Sequence, residues 1–340
     1  VQRFYDTVNA ALVAGFDTIR FAPGTSAVDG VSLAPFCSGA SDNLACYTKV
    51  LLASQAWDNP GLKRVMLTAI DRTCSTLAAS NNGCLTASTL TANKTAIKAE
   101  YAAMLAVLRD RFAGRSIQFI LSNWEGDNFV YCGSAYDFGR NTGGTFAATC
   151  QASWPSGQTN QQRVQAHLLW HSYRDEAVAE FIAANPGFSL IHAPEISSYT
   201  LLNSGCGGAC NSATDDVIDQ IAANGGRAYC SYSSYDTQGS AGGTYLATVR
   251  ALLNICQNLI IGEAGYDLLN AGNLQRNVDL FKALDQIRNV PGVLGVIPWN
   301  AANPSSGSQK YGMFDMTGAD QLLRFLGPIR PTPQAATPYR

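Results

Sequence analysis

Charge is scarce in this sequence: only 14% of its 340 residues are Asp, Glu, Lys or Arg, against roughly 25% in an average soluble protein. The 23 basic and 25 acidic residues leave a formal net charge of −2. Without a basic excess, nucleic acid and anionic membrane surfaces are not expected as partners, because clustered positive charge is what holds them. No run approaches the ~18 consecutive apolar residues of a membrane span. No Gly-x-Gly-x-x-Gly follows an apolar run, which argues against a dinucleotide-binding open sheet. Cys-x-x-Cys is missing, and the three histidines, His167, His171 and His192, do not join cysteines at zinc spacing. His167 and His171 stand four apart on a helical segment without a third ligand, and read as helix surface. No metal and no organic cofactor is expected. No signal peptide is visible, and the chain opens on Val1 rather than Met, as a processed chain would.

Cysteine, by contrast, is abundant. The ten cysteines fall into close sequential neighbours, favouring Cys37–Cys46, Cys74–Cys84, Cys132–Cys150, Cys206–Cys210 and Cys230–Cys256. Local closure is the cheaper route in chain entropy, although spacing alone does not fix connectivity. Disulfides imply an oxidising compartment, hence a secreted, extracellular protein. Asn93-Lys94-Thr95 is an N-glycosylation sequon, consistent with that. A monomer is expected.

At 46% hydrophobic residues the chain can bury a large core. Seven short apolar segments read as strands: 16–21 (FDTIRF), 64–70 (RVMLTAI), 117–122 (IQFILS), 189–193 (SLIHA), 227–232 (RAYCSY), 259–263 (LIIGE) and 293–299 (VLGVIPW). Most are continuous rather than alternating, as in a parallel sheet covered on both faces. Helical stripes lie between them. Ile97, Tyr101, Met104, Leu105, Leu108 and Phe112 make one, closed by Gly114; Leu274, Val278, Phe281, Leu284 and Ile287 make another. Tyr245, Val249, Leu252 and Leu253 form a third, and Phe4, Val8 and Leu12 a helix before the first strand. Further helices are expected over 41–55, 160–184 and from Asn211 to Gly225. Repeated βα units over this length predict a single-domain (β/α)8 barrel over residues 1–327, with one strand, the first, not evident. Residues 131–158 read as a Gly/Ser/Thr-rich loop pinned by a disulfide, and 328–340 as a Pro-rich tail.

Barrel chemistry sits at the C-terminal ends of strands. Counting a missing first strand, the fourth ends in Ser122-Asn123-Trp124-Glu125-Gly126-Asp127 and the seventh in Gly262-Glu263. Strand two ends at Arg20, strand five near Glu195, strand six at Tyr232 and Tyr235, and strand eight at Trp299-Asn300. Strands four and seven face one another across an eight-stranded ring, so Glu125 and Glu263 can converge. Two carboxyl groups about 5–5.5 Å apart suit retaining glycoside hydrolysis, and about 6.5–9.5 Å the inverting reaction. Asp127 competes with Glu125 for the acid role. Glu195 is either a substrate contact or a surface acid, and Asp137 and Arg140 could line the cleft.

On these phrases the chain resembles the retaining glycoside hydrolases of clan A, the "4/7" barrels that include family 5. Gly15-Phe16-Asp17-Thr18-Ile19-Arg20-Phe21 is similar to the strand-two phrase carrying an active-site arginine. Ile260-Ile261-Gly262-Glu263-Ala264-Gly265 is similar to the strand-seven phrase that ends in the nucleophile, and Trp299 matches the aromatic platform on strand eight. The resemblance implies Glu263 as nucleophile, Glu125 as acid/base and Tyr232 or Tyr235 beside the nucleophile. Arg20, Asn123, Asp127, Glu195 and Asn300 would contact a carbohydrate substrate. One departure stands out: clan A has Asn directly before the acid/base glutamate, whereas Trp124 separates Asn123 from Glu125 here. That departure keeps open a non-catalytic carbohydrate-binding or inhibitor barrel, and an inverting hydrolase or transglycosylase.

Overall fold

The computed structural model describes residues 2–23, 27–28, 31–32, 36–37, 43–72, 74, 85–123, 126–140, 144–197, 217–235, 237, 244–265 and 273–298. Each of the seven expected strands forms. They are β1 (Thr18–Phe21), β4 (Arg64–Thr68), β5 (Gln118–Ser122), β6 (Leu190–His192) continued by β7 (Glu195–Ile196), β8 (Arg227–Ser233), β9 (Cys256–Ala264) and β10 (Val293–Pro298). A small antiparallel hairpin of β2 (Ala27–Val28) and β3 (Val31–Ser32) follows β1. β6 and β7 are halves of one segment broken at Ala193-Pro194, where proline has no N–H to give a ladder. The first half pairs with β5 and the second with β8. The segment thereby joins the two parallel sheets, β1-β4-β5-β6 and β10-β9-β8-β7, into one run in chain order.

Helices supply the crossovers that parallel pairing requires. α1 (Gln2–Val13) precedes β1 and α2 (Asn43–Leu51) precedes β4. α3 (Ala87–Arg111) lies between β4 and β5. α4 (Gly126–Val130), α5 (Ala135–Arg140), α6 (Phe146–Ala152) and the long α7 (Asn160–Ala184) lie between β5 and β6. α8 (Val217–Ala223), α9 (Thr244–Leu253) and α10 (Asn273–Ile287) separate the remaining strands.

Side-chain alternation sorts the core into two bodies. Val65, Leu67, Phe119, Leu121, Tyr232 and Ile261 point outward into the large cluster under the helices. Met66, Ile120 and Ile260, from three strands, and Ala193, from the break between β6 and β7, meet in a second cluster inside. Strands can share an interior only if the sheet curls on itself. The Arg20 guanidinium on β1 donates to the Gly262 carbonyl on β9 at 2.7 Å, so the first and sixth strands of the run meet across that interior. β1 and β10 are the edges of the run among the described residues.

Several expectations change in detail. The described part of 131–158 carries two helices, α5 and α6, rather than loop alone, because Tyr131, Ala135, Phe138, Ala147, Cys150 and Trp154 give it a buried face of its own. The helix expected over 41–55 stops at Leu51 and is followed by a 3-10 turn, Gln55–Asp58, whose start is capped by Ser54. Of the Asn211–Gly225 helix, the described part is Val217–Ala223. Cys37–Cys46, Cys132–Cys150 and Cys230–Cys256 are bonded as local closure favours. The pairings of Cys84 and of Cys206 with Cys210, and the 328–340 tail, lie outside the described residues.

Candidate active site

The strand C-termini open at one end of the curled sheet, and the polar interior residues gather there. Arg20 is their hub. Its neighbours Ile19 and Phe21 are buried in the outer layer, so alternation sends Arg20 inward. Its Nε donates to Thr68 Oγ1 on β4 at 2.7 Å. Its terminal nitrogens reach Glu195 on β7 at 2.9 and 3.0 Å, and Glu263 on β9 at 2.8 Å. Burial opposes the charge on this guanidinium, but Glu195 and Glu263 outweigh it and raise the Arg20 pKa above its ordinary value, with Tyr235 adding in the same direction. A buried cation is tolerable only when paired and hydrogen-bonded in this way.

Glu263 points inward because β9 carries a bulge. Ile260 faces the interior and Ile261 the helices. A built Cβ on Gly262 would stand 2.2 Å from Ser231 Oγ and 2.4 Å from Glu195 Oε2, so position 262 also faces inward. Strict alternation would then turn Glu263 out. The pairing with β8 skips one residue instead, Tyr232 opposite Ile261 and Ser233 opposite Glu263. The extra residue re-aims the carboxylate, as bulges near functional sites do. Ser233 donates its hydroxyl to Glu263 Oε2 at 3.3 Å, and Ser231 donates to Glu195 Oε2 at 2.9 Å.

The other expected residues divide. Glu195 is no surface acid: it is fully buried beside Arg20. The Asn123 amide clasps the backbone of Glu195, Oδ1 accepting from its N–H at 2.8 Å and Nδ2 donating to its carbonyl at 3.4 Å. Asp127, weighed above as a rival acid, accepts from the backbone N–H groups of Ser197 at 2.7 Å and Val217 at 3.3 Å. Tyr232 points away from the interior, into the outer layer, and shares a 2.7 Å hydroxyl contact with Thr237. Tyr235 is the tyrosine close enough to act on the Arg20 charge. Asp137 takes the Ser134 hydroxyl at 2.7 Å at the start of α5. Glu125, Trp299 and Asn300 lie outside the described residues.

Sequence reasoning missed Ser231 and Ser233, whose signal was alternation about Tyr232, and Thr68, the single polar residue in an apolar run. His167 and His171, read as helix surface, are fully buried. α7 packs against α3, β6 and α8. Arg163, His167, His171 and Arg174 turn inward on it, while Gln161, Gln162, Gln165 and Glu180 stay exposed. Among the described residues, no group of three or more His, Cys, Asp or Glu side chains could hold a metal ion.

Comparison with solved structures completes the picture. A GH5_18 protein from Bifidobacterium longum subsp. infantis superposes with a TM-score of 0.53 at 13% identity, covering 93% of this chain and 70% of that one. A GH5_18 variant from Streptomyces cattleya in complex with Manβ1-4GlcNAc gives 0.52 at 13% identity, covering 92% and 70%. The fold is that of a (β/α)8 barrel, as in these glycoside hydrolases. A family 1 β-glucosidase from Thermotoga maritima gives 0.51 at 12% identity, covering 92% and 80%. No protein-family model matches the chain, and no curated protein is similar to it in sequence. At these identities the likeness is one of fold.

Proposed function

We propose that this chain is a secreted glycoside hydrolase that cleaves a β-linked glycan with retention of configuration. Glu263 is the nucleophile that attacks the anomeric carbon, and Glu125 is the acid that protonates the departing oxygen. The glycosyl–enzyme ester is then cleaved by water, with Glu125 acting as base. The observation that carries this reading is the Glu263 carboxylate, which a bulge turns into the mouth of the barrel and Arg20 holds at 2.8 Å. Arg20 fixes the carboxylate's orientation, and Ser233 leaves it a single well-defined attack direction. One guanidinium faces two carboxyl groups, so negative charge on Glu263 is left to suit an oxocarbenium-like transition state. Asn123 and Gly126, on either side of Trp124-Glu125, both lie against the backbone of Glu195. The three disulfides among the described residues fit an oxidising compartment. Among the described residues no helix is long and apolar enough to cross a membrane.

The test is product analysis on a broad panel of β-linked plant, fungal and bacterial glycans, with Glu263→Ala and Glu125→Gln alongside. Each substitution is expected to lower kcat/KM by about 10²–10⁴-fold. Azide should rescue Glu263→Ala and yield a glycosyl azide of inverted configuration. Full activity in either variant overturns the assignment. Glycan binding without turnover by the intact protein favours the non-catalytic barrel instead.

A further inference from the structure

Helix α7 carries a chain of imidazoles that the proposed reaction leaves unused. His167, His171 and Asp175 stand one turn apart on one face of the helix, and His192 at the end of β6 completes the line. Asp175 Oδ1 lies 2.6 Å from His192 Nδ1 and shares its carboxylate with Arg227, also at 2.6 Å. His192 Nε2 is 3.4 Å from His171 Nδ1, and His171 Nε2 is 3.0 Å from His167 Nε2. The Asp175 side chain is 42% exposed. It borders a cavity of about 480 Å³ near the strand N-termini, with Leu190, His192, Arg227 and Tyr229. The line therefore runs from solvent at one end of the barrel toward the site at the other.

Its hydrogens are dictated from the Asp175 end. Burial, with Arg163, Arg174 and Arg227 nearby, keeps the rings neutral. A neutral ring has one N–H and one lone pair. The ionised carboxylate only accepts, so His192 gives it Nδ1–H. His192 Nε2 must then accept from His171 Nδ1–H, and His171 Nε2 from His167 Nε2–H. His167 Nδ1 is left as a bare lone pair, and that is the buried nitrogen without a partner. At this last ring the line meets the site: a Cβ built on Gly126 would stand 2.8 Å from His167 Nε2 and 2.5 Å from the Glu195 carbonyl. Position 126 is glycine because its backbone rests directly on the imidazole.

We propose that Asp175, His192, His171 and His167 form a tautomer-locked brace that positions Gly126 and, through the adjoining peptide, the Glu125 acid/base. The proposal rests on the reading of Glu125 given above. All four are positioning residues; none touches the reacting atoms.

Asp175→Ala removes the carboxylate that sets the tautomers, and Arg227→Gln removes the same ion pair while leaving that carboxylate on His192. Turnover is measured on dinitrophenyl and alkyl β-glycosides of the sugar the panel identifies, and histidine tautomers are read by ¹⁵N NMR of the intact protein. For Asp175→Ala, kcat/KM on the alkyl glycoside, which reports the glycosylation step alone, should fall on the order of tenfold to a hundredfold. It should fall far less on the dinitrophenyl glycoside, whose leaving group needs no acid. Arg227→Gln should be much milder, and the wild-type spectrum should show Nδ1–H on His192 and His171 and Nε2–H on His167. Equal loss on both substrates, equal effects of the two variants, or another tautomer pattern overturns the brace. If Glu125→Gln itself lacks the leaving-group dependence, the acid/base reading fails instead.

Discussion

Arg20 concentrates the energetics of the site in one side chain. It lies in a strand of otherwise apolar residues, and it is retained there because two carboxylates, one hydroxyl and one carbonyl converge on it. Removing it would leave Glu195 and Glu263 facing each other without a counter-charge. Breaking one side of a buried ion pair typically costs about 3–5 kcal/mol. Arg20→Gln is therefore expected to lower the unfolding free energy measured in urea by that order and to abolish turnover even in the folded fraction. Wild-type stability in this variant would show that the triad contributes nothing to the fold. Gly262 belongs to the same argument. The absence of a Cβ lets Glu195, Ser231 and Arg20 close over it, so the glycine before the glutamate is a packing requirement and not a turn signal.

At the scale of the element, α7 joins the fold to the site. It starts at Thr159, whose hydroxyl accepts from the Gln162 N–H at 3.2 Å while the Gln162 side chain accepts from the Thr159 N–H at 2.9 Å. This reciprocal cap satisfies two donors that the helix cannot satisfy itself. Past the cap the helix places Arg163 on the Val130 carbonyl, His167 under Gly126, and Arg174 on the Ser122 carbonyl at the end of β5. Thr159→Ala is expected to cost about 1 kcal/mol. Amide exchange should speed up at the start of α7 before it does in the strands; unchanged exchange there would refute the cap's role. The second long helix, α3, packs along α7, with Lys94 and Lys98 paired to Glu176 and Glu180. Those pairs are partly exposed and add little.

For the whole molecule, the buried histidines tie stability to pH. Burial first, then nearby arginines, holds His167 near 3, and burial lowers His192 to about 4 despite its hydrogen bond to Asp175. His171 is lowered as well. In the unfolded chain each titrates near about 6.5. Between those limits the unfolded state binds more protons, so stability rises with pH across the window and falls on acidification from about 6.5 toward 4. Each ring contributes about 1.4 kcal/mol per pH unit crossed. Asp71, raised by burial, acts in the opposite sense at the acid end. Urea unfolding between pH 7.5 and 4.5 should show a steady loss; a flat profile would mean the rings are solvated in the native state.

Composition and local pattern were enough to determine the chemical class of the parts. All seven strands were legible because a strand buried on both faces must be apolar along its length, and the three bonded disulfides because short loops close at least entropic cost. Arg20 and Glu263 were legible because charge inside an apolar run is costly without a purpose. Tertiary structure alone decided which way each residue faces. The bulge that turns Glu263 inward, the outward rotation of Tyr232 and the use of Asn123 and Asp127 on backbone groups depend on register between strands far apart in the chain. The histidine line is the clearest case. A spacing of four on a helix fixes that two rings share a face, but whether that face meets water or a strand is set by what packs against it.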